Sequence, residues 1–212
     1  MLIEAVPQIL TGDLIGTAKT SGLLIYLILF LIILLENGVP PMIWLPGDSL
    51  LFLSGMLAAS GFFDLSSLLV VYILAGFFGY QISYLLGSRL GLPLISRHFS
   101  RIVTEKNLKQ SREFYCRWGN AAITIGRFVP IIRTITPFIA GISRMKINQF
   151  TAYNILGAFF WPFTVCGFGF LCGVIPWLAS YRDLIFNLVS VLFILSILGS
   201  CILILHSWIL SR

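Results

Sequence analysis

Two stretches decide how this chain must be read: Glu36-Asn-Gly-Val-Pro-Pro-Met-Ile-Trp-Leu-Pro-Gly-Asp48 and Arg127-Phe-Val-Pro-Ile-Ile-Arg133, the second running on through Thr-Ile-Thr-Pro137-Phe-Ile-Ala-Gly141. Each is an apolar segment bracketed by two charges and interrupted by proline. A charge at bilayer depth costs a few kcal/mol or more and faces an interior cavity or a partner. Broken backbone at that depth needs shielding from lipid by protein or water. Two acids and two arginines on two broken segments point to a polar site inside a membrane protein.

The surrounding sequence fits that setting. Only 10% of the 212 residues are charged and 58% are hydrophobic, whereas soluble domains carry about 25% charged residues. Uncharged runs of bilayer length, roughly 20 residues, occur at 65–88, 147–181 and 184–211. The chain reads as a single all-α transmembrane domain over residues 1–212. Residues 1–20 carry Glu4, Asp13, Pro7 and Gly12 and lack a basic start, which suggests an interfacial segment and not a cleaved leader.

The net charge of +6 is concentrated in 89–117, with seven basic residues against Glu105 and Glu113. Such an excess marks a cytoplasmic loop, so no nucleic-acid partner is inferred. From this loop the chain threads as follows: 22–35 outward, a re-entrant hairpin at 37–63, and 65–88 inward. A second hairpin at 118–143 enters from the inner side, 147–170 crosses outward, and 184–210 returns. Eleven basic residues (Lys19, the seven of the loop, Arg144, Lys146, Arg212) then lie inside and only Arg182 outside, with both termini cytoplasmic. The expected architecture is an inverted repeat, 22–88 and 118–173, with two opposed re-entrant hairpins and about four full transmembrane helices. Transporters of that plan bind at mid-depth.

Arg127 and Arg133 offer planar forks suited to phosphate. Glu36 and Asp48 sit where burial disfavours a carboxylate and a guanidinium favours it, a competition that can place proton exchange near neutrality. They are the expected proton-coupling pair, and the arginines the expected headgroup-binding pair. The competing reading is a static buried ion pair, and Asp48 could instead cap the helix that follows Pro46-Gly47. Asn37, Thr134, Thr136 and Gln81 are candidate cavity-lining residues, while Asn154 reads as an interhelical hydrogen bond. Trp161 reads as core or interface anchor. Cys116, Cys166, Cys172 and Cys201 match no metal or redox spacing, and neither His98 nor His206 is placed for central chemistry. No catalytic residue, metal or cofactor is expected.

The first broken segment, the Gly-rich span 76–91, and Gly126-Arg-Phe-Val-Pro-Ile-Ile-Arg-Thr134 through Pro137 and Ala140-Gly141 resemble the DedA family of bacterial inner-membrane proteins, in the SNARE-associated/VTT superfamily with eukaryotic lipid scramblases. The resemblance runs from about Gly22 to Gly173. It implies a polytopic protein with two opposed hairpins that moves undecaprenyl phosphate or phosphatidylethanolamine across the cytoplasmic membrane, depends on the proton-motive force and serves envelope homeostasis. It also carries the family's functional acids onto Glu36 and Asp48 and its arginines onto Arg127 and Arg133. Two departures stand out: Tyr80 follows Gly79 where many members have an acid, and Gly87-Ser88 replaces a Gly-Arg pair, with Arg89 one place later. The expected partners are an anionic lipid or polyprenyl phosphate, protons and the bilayer, and a homo-oligomer is compatible with the sequence. The alternatives are an envelope-assembly protein with structural charges and a membrane lipid phosphatase, which would want a histidine near the arginines.

Overall fold

The computed structural model describes residues 14–39, 46–94, 105–175 and 191, and these contain no β-strand. The all-α expectation holds for them. Six helices follow in order: α1 (Leu14–Gly38), α2 (Gly47–Ala59), α3 (Leu65–Leu94), α4 (Glu105–Trp118), α5 (Pro130–Ile142) and α6 (Ile147–Val174). Between α4 and α5 lie a 3-10 turn at Gly119–Ala121, a single α-helical turn at Ala122–Ile125 and a second 3-10 turn at Gly126–Phe128. Most of the leading segment 1–20, the final helix expected at 184–210, His98, His206, Cys201 and both termini lie outside the described residues.

Among the described helices, Leu65–Arg89 of α3 and Ile147–Val174 of α6 are long and apolar enough to cross a membrane. At 1.5 Å per residue they exceed the roughly 30 Å hydrocarbon thickness. Helices α2 and α5, at 13 residues each, reach only about 20 Å. Proline sets where α5 starts: Val129 is extended (φ −113°, ψ 108°), as a residue before proline prefers, and Pro130 takes the first helical position. Leu24, Leu31, Val70, Phe78, Phe160 and Phe168 are exposed on α1, α3 and α6, an apolar exterior suited to lipid and costly in water.

The direction of α1 differs from the threading. The Asp64 backbone N–H donates to the Tyr26 hydroxyl at 3.1 Å, and the Tyr26 and Phe63 rings meet edge-on at 5.7 Å. At the other end Gly38 lies against Gly79, so α1 runs parallel to α3. Helix α2 then starts beside Glu36, whose Oε1 accepts the Gly47 N–H at 3.4 Å, and leads back to Phe63. Residues 22–35 therefore run parallel to 65–79 of α3, not antiparallel to it as the threading has them, and α1 ends beside the middle of α3. An apolar run of this length does not show its own direction, which the Tyr26–Asp64 contact supplies.

Helices α3 and α6 pack antiparallel, joined by Gln81 Nε2 to Thr151 Oγ1 at 2.9 Å and Asn154 Nδ2 to the Phe77 carbonyl at 3.1 Å. Each short helix lies on one of them at a pair of glycines. A Cβ at Gly55 of α2 would overlap the Cys166 carbonyl of α6, and one at Gly169 would overlap the Phe52 carbonyl; Gly87 of α3 and Gly141 of α5 meet the Phe138 and Tyr84 carbonyls in the same way. Backbones approach this closely only where side chains are absent. Both short helices thus end with their N-termini at the centre of the α3–α6 pair.

Candidate functional site

Glu36 lies in the last turn of α1, Asp48 in the first turn of α2, Arg133 in the first turn of α5 and Trp161 halfway along α6. The fold brings these four side chains together. Arg133 donates through Nη2 to Glu36 Oε1 and through Nη1 to Asp48 Oδ1. The same Asp48 oxygen accepts Trp161 Nε1–H at 3.0 Å, and the Trp161 ring lies 5.2 Å from the Arg133 guanidinium. Glu36 is fully buried and Arg133 nearly so, whereas the Asp48 side chain is 41% exposed. Asp48 is thus the open side of a closed triad.

Asp48 is not a helix cap. No side chain caps α2 from its own N-terminus, and its first free N–H is taken by Glu36 from α1. A carboxylate there is favoured by the partial positive charge of a helix start. The sequence suggested a local cap; the structure supplies a long-range one.

Arg127 stands apart from the acids and makes no ion pair among the described residues. Its Nη2 donates to the Gly76 carbonyl at 3.1 Å and to Asn154 Oδ1 at 2.5 Å, and its guanidinium lies 3.6 Å from the centroid of the Tyr80 ring. Tyr80 therefore offers a π-face to the cation. The Nε and Nη1 edges have no hydrogen-bond partner and lie against glycine. A Cβ at Gly157 would come within 2.7 Å of Nε, and one at Gly76 within 3.1 Å of Nη1. This arginine bolts the tip of the second hairpin to α3 and α6.

The remaining candidates play smaller parts. Asn37 donates to the Ile33 carbonyl at 2.9 Å and leaves its own oxygen without a partner. Thr136 bonds back to the Ile132 carbonyl at 2.6 Å, Thr134 is buried on α5, and Gln81 is committed to Thr151. Asn154 does make the expected interhelical bond, but it also carries Arg127. The sequence reading missed Trp161 as the Asp48 donor. Its signal was position: Gly76 and Trp161 lie roughly 17–21 Å from the ends of their spans, and a tryptophan so far from either interface is not an interfacial anchor.

Four formal charges summing to zero thus sit near the middle of the α3–α6 pair, with one guanidinium shared by two carboxylates and the other held by neutral groups. The first arrangement can open by exchanging an acid for another anion, while the second is fixed by close packing. Among the described residues no cluster of three or more His, Cys, Asp or Glu could hold a metal.

Comparison with known proteins gives a consistent answer. The VTT domain matches residues 45–171. The chain is 38% identical over 157 residues to Protein DedA of Escherichia coli K12, covering 73% of this chain and 72% of the relative. It is 31% identical over 168 residues to the E. coli K12 inner membrane protein YghB (79% and 77% covered) and 31% over 160 residues to inner membrane protein YqjA (76% and 73%). No solved structure matches.

Proposed function

Because the chain belongs to the DedA family of VTT-domain membrane proteins, we propose that it is a transporter of the bacterial cytoplasmic membrane that moves a phosphate-bearing lipid, a phospholipid or undecaprenyl phosphate, with proton coupling. One observation carries this reading: the Arg133 fork is held by two carboxylates at the middle of two bilayer-length helices. A headgroup phosphate is the natural competitor for such a fork. Protonation of Asp48, the exposed acid, would release one arm of Arg133 and let phosphate take its place. Proton entry and headgroup binding then draw on the same guanidinium. Arg127 serves as the bolt that holds the α5 N-terminus at depth, and Arg133 takes the headgroup.

The two-hairpin inverted repeat belongs to the same proposal. In support, α2 and α5 have equal length, each rests on the long helix of the other half, and both start at the centre. Rocking of one pair against the other would expose the triad to each side in turn. The engagement of both Arg133 Nη atoms by acids also favours a second reading, a structural ion-pair network in an envelope-assembly protein.

Reconstitution separates them. Protein in liposomes with labelled undecaprenyl phosphate or phosphatidylethanolamine should accelerate headgroup exposure across the bilayer, and an imposed pH gradient should change the rate. Arg133→Lys should slow it at least tenfold, because lysine lacks the fork. Stable insertion with no lipid movement above empty liposomes would defeat the transport reading.

A further inference from the structure

The ends of the two short helices are built alike and furnished differently. Helix α2 ends at Ser60 (φ −85°, ψ 0°), and Gly61 follows in the left-handed region at φ 80°. Gly61 N–H returns to the Ala58 carbonyl at 3.0 Å and Phe62 N–H to the Leu57 carbonyl at 3.1 Å. Helix α5 ends at Ser143 (φ −73°, ψ 0°), with Arg144 at φ 53°. Arg144 N–H returns to Gly141 at 3.0 Å and Met145 N–H to Ala140 at 3.1 Å. These are the two hydrogen bonds of one Schellman motif, whose left-handed position is ordinarily glycine.

At the second end that position holds a branched-backbone-averse residue: an L-amino acid with a long side chain, strained at positive φ. Arg144 is the one such non-glycine residue among those described. Strained positions persist where the surrounding structure fixes them and the side chain is used. The surroundings do fix it: Met145 is buried beside Ala140, and its carbonyl accepts the Tyr84 hydroxyl at 2.5 Å. The Arg144 side chain itself is exposed, as are those of Lys146 and Arg89. Gly141 packs on Ser88, which brings Arg89 to the same end of the molecule. None of the three basic residues is in an ion pair among the described residues.

We propose that Arg144, with Arg89 and Lys146, forms a docking site for the phosphate headgroups of anionic phospholipid at the inner mouth of the second hairpin, and that arginine replaces glycine there for that contact. The site rests on the transport reading only for its purpose, which is to concentrate anionic lipid beside the hairpin; its existence is a separate claim. Guanidinium binds phosphate with two parallel hydrogen bonds, and each basic side chain at a membrane surface gains about fivefold in association with anionic lipid.

The test measures binding without transport. Full-length protein in bilayers carrying spin-labelled phosphatidylglycerol or phosphatidylcholine gives the selectivity for the anionic lipid. Arg144→Gly should raise the thermal midpoint, because strain is relieved, while phosphatidylglycerol selectivity falls about fivefold. Arg144→Asn, which tolerates the left-handed region, should lose the same selectivity with a smaller gain in stability. Arg89→Gln should add a further loss. Unchanged selectivity in Arg144→Gly would leave only a topology signal and overturn the proposal, as would a lowered midpoint. Liposomes that show no lipid movement while Arg144→Gly still loses selectivity would sink transport and keep the docking site.

Discussion

The two hairpins share a backbone plan and divide the chemistry. Each contributes a 13-residue helix that starts at the centre, crosses the long helix of the other half at two glycines, and closes with the same pair of return hydrogen bonds. The first hairpin brings both acids and ends in glycine; the second brings both arginines and ends in arginine. Shape is set by small residues and prolines, which recur. Charge is where the halves diverge, with acids on one and arginines on the other, even though three of the four side chains are buried. The central site exists because unlike charges arrive on like frames.

The sharpest way to break this comparison is to remove the charge that joins the frames. Arg133→Met leaves Glu36 buried and Asp48 partly exposed without a cation, which should cost about 3–5 kcal/mol of stability. Thermal unfolding in detergent checks it. Adding Glu36→Gln and Asp48→Asn to that variant should recover much of the loss, since no orphan charge remains. Arg127→Met should cost less than Arg133→Met. It strands no acid and gives up a cation–π contact of about 2 kcal/mol and two hydrogen bonds. Equal losses for the two arginines would mean that Arg127 has a carboxylate partner after all.

The frames themselves come next. Gly55→Val and Gly141→Val both drive a side chain into a facing carbonyl, so each should lose about 1–3 kcal/mol. Gly167, on the same helix as Gly169 but with open space around it, gives the control: Gly167→Val should leave unfolding within about 0.5 kcal/mol of the parent. If Gly55→Val is tolerated and Gly141→Val is not, the two crossings are not equivalent.

Much of this was visible in the residues. The four charges stood out because each flanks proline-broken apolar sequence, and the basic stretch 89–117 set a side. What stayed hidden was long-range. Residues 22–35 read as a span because nothing local says whether a helix ends at the far surface or halfway, and its parallel course beside α3 rests on Tyr26 meeting Asp64. The seat of Arg127 was not legible either, because a guanidinium's partners are invisible in sequence. Its seat is made by Gly76, Tyr80, Asn154 and Gly157, which come from two other helices. Trp161 lies in the core, one of its two sequence readings, but its bond to Asp48 stayed hidden for the same reason, since that partner lies on another element.

The smallest expected effect concerns where the two long helices begin. Helix α3 is capped by Asp64, whose Oδ2 accepts the Ser67 N–H at 2.7 Å. Helix α6 starts after Lys146 with no side-chain cap. The Ser67 hydroxyl and backbone N–H hold the Asp64 carboxyl below the usual carboxylate range. Its contribution is therefore complete above the ordinary aspartate value of about 3.9 and disappears as pH falls through the lower folded value. Amide exchange at Ser67, corrected for its intrinsic rate, should then lose protection on acidification, while Gln149 at the equivalent turn of α6 should not respond. Asp64→Ala should remove the Ser67 protection at every pH. If acid unties both starts equally, the difference lies elsewhere than in the cap, and Asp64 would no longer distinguish the first half from the second.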